Sequence, residues 1–79
     1  MKFLLDSDGE VALNTAFIKS LNVFYYEDSY QILAKLEDDE YAGEGTILKE
    51  FNTGNEDADY TAAKIYLAKL VESLNGGQS

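Results

Sequence analysis

The 79-residue chain contains no cysteine and no histidine. Disulfides and the usual zinc ligand sets are therefore excluded as braces, and the Ser–His and Cys–His pairs of nucleophilic catalysis cannot be assembled. Paired carboxylates remain, but they work in clefts that exclude water, and a chain this short has little room for a cleft. The expectation is a protein that is not an enzyme and holds no cofactor or metal. Long apolar runs are also lacking. Asp6 and Asp8 end the opening Phe3-Leu4-Leu5 run, well short of the roughly 7–15 apolar residues of a secretory segment or the roughly 18 of a membrane span. A cytoplasmic location is expected. Arginine is absent too, and six lysines against fifteen acids leave a net charge of −9, which repels phosphate and anionic lipid. Neither direct nucleic-acid binding nor membrane binding is expected. The glycines are dispersed and no Gly-Lys-Ser/Thr occurs, so there is no phosphate-binding loop.

What is present suffices for folding. Hydrophobic residues make up 46% of the chain and aromatic residues 13%, more than a solvated acidic tail carries. Residues 1–79 form one domain, with a frayed tail expected over residues 75–79. Its small core makes a partner chain a natural source of extra stability.

Apolar and polar residues alternate as far as Phe51, the pattern of an antiparallel sheet. Four to five short strands are expected within residues 2–51, at 2–5, 10–14, 18–26, 30–37 and 45–51. Asp8-Gly9 supplies the first hairpin turn, residues 15–17 make a connection with a single helical turn, and Glu27-Asp28-Ser29 turns the chain again. In the fourth strand Tyr30, Ile32, Ala34 and Leu36 share one face. An acidic loop spans residues 38–44.

The period changes at Asn52. Thr53-Gly54-Asn55-Glu56 has capping-box spacing, and Glu56, Asp57 and Asp59 suit the positive end of a helix dipole. An amphipathic helix is expected over residues 54–74, packed on one sheet face through Tyr60, Ala63, Leu67, Leu70, Val71 and Leu74. Asn75-Gly76-Gly77 ends it. The fold class is thus α+β.

Weak motifs resolve into ordinary structure. If Gly9 took the glycine position of an EF-hand, Leu4 and Thr15 would fall at ligand positions, and neither can serve. The acidic run Glu37-Asp38-Asp39-Glu40, with Glu44, has no fixed ligand spacing and reads as a solvated loop. Gly76-Gly77 follows the helix directly, unlike the strand-borne tail of ubiquitin-like modifiers.

One helix covers only one face of a small sheet, yet the third strand is apolar on both sides. Phe24 and Tyr26, with Leu33 and Leu48 placed on the same side by strict alternation, read either as scattered surface hydrophobes or as a second apolar face that a twin subunit, in a homodimer, or a target covers.

The run Val11-Ala12-Leu13-Asn14 followed by Ile18, Leu21 and Val23, then Ile32-Leu33-Ala34-Lys35-Leu36 and the C-terminal amphipathic helix, resembles small uncharacterised proteins of Gram-positive bacteria and their phages. The resemblance covers nearly the whole chain. It implies a β-meander with one helix and a mobile-element origin, and it transfers no catalytic or binding residue.

The functional expectation is a non-enzymatic acidic protein that binds a basic protein, with a nucleic-acid-binding protein as the narrower form of that reading and ordinary solubility as the plain alternative for the charge. Acids at i and i+2 of a strand lie about 7 Å apart, a spacing broadly like that of backbone phosphates, as a DNA mimic or an anti-CRISPR phage inhibitor would use. The expected partner-binding residues are Glu37, Asp38, Asp39, Glu40 and Glu44, extended by Asp6, Asp8 and Glu10. The alternative is a structural or assembly subunit that oligomerises through the second apolar face.

Overall fold

A computed structural model describes residues 2–41 and 43–76. Along the chain lie β1 (Phe3–Leu5), β2 (Ala12–Asn14), a 3-10 turn (Thr15–Phe17), β3 (Ile18–Tyr26), β4 (Ser29–Leu36), β5 (Thr46–Phe51) and α1 (Glu56–Leu74). All strand pairs are antiparallel, and the helix packs against the sheet. The strands do not form one sheet. β1 and β2 make a separate hairpin, and β3-β4-β5 form a three-stranded sheet. The two are tethered where the Ser7 N–H donates to the Ile47 carbonyl at 2.8 Å.

The alternation in β4 organises the core. Ile32 and Ala34 are fully buried and meet Ala63 of the helix, with Leu13 of the hairpin and Leu48 of β5 beside them. Burying one side chain the size of Ile32 is worth about 1.5–3 kcal/mol. Alanine at both 34 and 63 keeps side-chain bulk in this cluster small. The helical stripe differs from the expected one: Tyr66 packs against the core with Leu67 and Leu70, whereas Tyr60 and Val71 are exposed. Tyr66 meets Phe51 edge-on, with ring centres 5.8 Å apart.

Both helix ends are satisfied by groups outside the helical turns. Asn55 is the N-cap, its side chain accepting the Ala58 N–H at 3.1 Å. The expected cap, Thr53, lies two residues before it and is held by Asp59. At the other end no basic residue occupies the last turn, and Lys2 Nζ donates to the Ser73 carbonyl at 2.9 Å. A cation is favoured at that negative pole. Asn75 and Gly76, the latter at φ 86, close the helix, while the rest of the expected tail, residues 77–79, lies outside the described residues.

Leu48 corrects the expected second face. Ile32 pairs with Lys49 and Leu33 with Ile47, so Leu48 is the extra residue of a β-bulge. The bulge breaks the period of two and turns Leu48 into the helix-side core, where it is 6% exposed. Ile47 takes its place on the far face.

Candidate acidic binding surface

Leu33 does lie on that far face, but the chain covers it. The loop between β4 and β5 folds back across the sheet. At Gly45, φ 139, a side chain would place Cβ 2.7 Å from the Ala34 carbonyl oxygen and 3.0 Å from Leu33 Cγ. Only glycine lets the loop lie so close. Gly43 sits against the Phe24 ring, and Lys35 Nζ donates to the Tyr41 carbonyl. Leu33 is consequently 2% exposed. Of the four expected face residues, only Phe24, half-buried, and Tyr26, 53% exposed, remain accessible.

The same loop carries five expected binding acids, and they divide by role. The Asp39 carboxylate accepts the Leu36 N–H at 2.9 Å, and Glu44 Oε1 accepts the N–H groups of Glu40 and Tyr41 at 2.7 and 3.1 Å. These two acids hold the loop's backbone. Glu37, Asp38 and Glu40 are exposed and face solvent.

The first hairpin shows the same division. Asp6 Oδ1 accepts the N–H groups of Glu10 and Val11 at 2.9 and 3.3 Å, so Asp6 shapes the turn. The Glu10 bond, more than the others, holds the Asp6 carboxyl below its ordinary value of 3.8, against an opposing effect of burial. Gly9 supplies the positive φ of 72 in that turn, and Asp8 and Glu10 are exposed. Through the Ser7–Ile47 bond the hairpin tip abuts β5, whose first residue follows the acidic loop by sequence. The acidic loop thus runs from the end of β4 to the start of β5, and the hairpin tip meets β5 at Ile47.

A further acidic region was not singled out from the sequence. Glu27 and Asp28 form the two-residue β3–β4 turn, both at positive φ, 49 and 65, the geometry of a type I′ turn. Tyr25 donates its hydroxyl to Asp28 Oδ1 at 3.1 Å, and the tilted rings of Tyr25, Tyr30 and Tyr60 follow one another with centres 4.9 and 5.2 Å apart. The hydrogen bond to Asp28 first, then burial and the Glu56 charge, raise the Tyr25 pKa. Burial first, then Glu56, raises that of Tyr30. Tyr25, Asp28 and Glu56 line a shallow pocket with Asn52 and Gly54. Each acid was visible in the sequence. Their meeting depends on the β3–β4 turn lying beside the start of the helix, which no local pattern specifies.

Other acids are committed to structure. The Ser29 hydroxyl and the Gln31 amide reach Glu50 Oε2 at 3.0 and 3.4 Å, forming a polar ladder across the far face. Among the described residues no group of three or more acids is arranged to hold a metal ion, and no helix is long and apolar enough to cross a membrane.

No family model, curated protein or solved structure matches this chain.

Proposed function

We propose that the chain is a non-enzymatic, cytoplasmic binding protein whose acidic surface engages a basic partner protein. The observation that carries this reading is the division among the acids. Asp6, Asp39, Glu44 and Glu50 are consumed by hydrogen bonds inside the fold, while Glu37, Asp38 and Glu40 of the β4–β5 loop and Asp8 and Glu10 of the first hairpin stand exposed. Among the described residues, the carboxylates of these exposed acids take part in no hydrogen bond within the fold. A summed field of this sign steers a cationic partner and speeds encounter. The acids beside Tyr25 add a second kind of site, where a lysine or arginine side chain would meet carboxylates and a phenol ring together.

In its specific form the partner is a nucleic-acid-binding protein and the chain occupies its phosphate site, as a phage-type inhibitor would. The test is competition. Excess chain should displace duplex DNA from a basic DNA-binding protein recovered from the host, and added salt should weaken that displacement steeply. Recovery only of partners whose binding is indifferent to salt would favour the structural-subunit alternative.

A further inference from the structure

The outer edge of β3 is left open by the fold. The outer edge of β5 receives the Ser7 N–H at Ile47, whereas among the described residues no backbone hydrogen bond closes the outer edge of β3. The two-residue turn makes Tyr26 and Ser29 a hydrogen-bonded pair. By alternation, Asn22, Phe24 and Tyr26 direct their N–H and C=O groups toward β4, while Leu21, Val23 and Tyr25 direct theirs outward.

Open edges are commonly blunted by proline, a bulge or a charge in mid-strand. This chain has no proline, and both the register shift and the only charge of β3 fall near its start, at Lys19. From Leu21 to Tyr26 the edge is regular and uncharged. From Val11 to Tyr26 the chain carries no acid at all. A second copy, itself at −9, meets the least local repulsion along this strand.

We propose that β3 pairs antiparallel with β3 of a second copy, about a two-fold axis at Val23. The two three-stranded sheets then become one continuous sheet, and Leu21 of each copy lies opposite Tyr25 of the other. This axis also brings Lys19 of each copy to Glu27 of the other. Both residues are exposed, and among the described residues neither side chain has a partner. An axis at Asn22 or Phe24 would set Lys19 against Tyr25 or Ser29 instead, so charge complementarity selects Val23. The pairing uses the strand edge and leaves the covered Leu33 undisturbed. The exposed acids of the β4–β5 loop and the first hairpin are not residues of β3, so the pairing is independent of that part of the basic-partner reading, whereas Tyr25 of the second site lies on the edge itself.

Sedimentation equilibrium and amide hydrogen exchange, each across a range of protein concentration, test the pairing. The expected result is a dimer in which the amides of Leu21, Val23 and Tyr25 gain protection as concentration rises, while those of Asn22, Phe24 and Tyr26 are protected throughout. Lys19→Glu and Glu27→Lys should each weaken the dimer by about tenfold, because two ion pairs become two repulsions, and the double variant should restore it. Both sites are exposed, so the monomer fold should survive. Glu27→Lys is the sharper arm, since it lowers the overall repulsion between copies and still must weaken the dimer. A monomer mass at every concentration would overturn the proposal. A dimer whose outward amides stay unprotected, or one that the Glu27→Lys variant strengthens, would overturn it equally.

Discussion

Asp59 grips Thr53 at two points, Oδ2 accepting its backbone N–H at 2.9 Å and Oδ1 accepting its hydroxyl at 2.7 Å. Asp59 is 2% exposed, so the residue two before the cap is locked to the first turns of the helix from inside. Hydrogen bonds to a charged group contribute roughly 1.5–3 kcal/mol. Asp59→Ala should therefore lower Tm by roughly 8–16 °C for a loss of about 2 kcal/mol. Thr53→Ala, which keeps the backbone bond, should cost less than half as much. Equal losses in the two variants would show that the backbone contact contributes nothing.

Tyr66 and Val71 separate the observed helical stripe from the expected one. Tyr66 packs on the core and meets Phe51 edge-on, whereas Val71 is 39% exposed. Tyr66→Ala should cost about 2–3 kcal/mol. Val71→Ala should stay within about 0.5 kcal/mol. Urea unfolding of both variants measures the difference, and a larger loss at Val71 would contradict this packing.

Asp6 predicts a pH dependence confined to acid. Its folded pKa lies below the ordinary 3.8, held there chiefly by the Glu10 N–H. The ionised form is thus favoured by folding. Its contribution is present above the ordinary value and is lost as the pH falls through the lower folded value. The Tm of the parent should exceed that of Asp6→Asn at neutral pH, and the gap should close below about pH 4. A gap that persists unchanged to about pH 2 would show that the carboxylate's charge plays no part in the turn.

The regular elements were legible because they repeat a period over enough residues to be seen. Tyr30, Ile32, Ala34 and Leu36 alternate without a break, and the shift to helical spacing after Asn52 coincides with the start of α1. Departures from period hid the rest. One extra residue at Leu48 reverses the faces of β5 on either side of it, and alternation alone cannot reveal an insertion. Leu33 reads as open until Gly45 brings the loop over it.

The acids posed a different problem. A carboxylate that accepts N–H bonds has the same letter as one in solvent, so Asp39 and Glu44 counted as binding acids beside Glu37, Asp38 and Glu40. Spacing offers a partial signal. Asp39 lies three residues beyond the N–H it accepts from Leu36, and Glu44 accepts N–H groups four and three residues before it, as in local side-chain turns. Thr53 and Asn55 posed the same ambiguity at the helix start, since either can cap and only one side chain reaches the Ala58 N–H.

The central claim, that the exposed acids recruit a basic partner by their summed field, is tested most directly by association kinetics. A basic protein captured on the immobilised chain at low salt would be measured against the parent and against Glu37→Gln/Asp38→Asn/Glu40→Gln at several salt concentrations. The triple variant leaves Asp39 and Glu44 in place, so the loop keeps its backbone hydrogen bonds. The parent's association rate should fall steeply with salt, and the triple variant should associate about tenfold more slowly at low salt with a flatter dependence. Equal rates and equal salt slopes for the two proteins would contradict the claim.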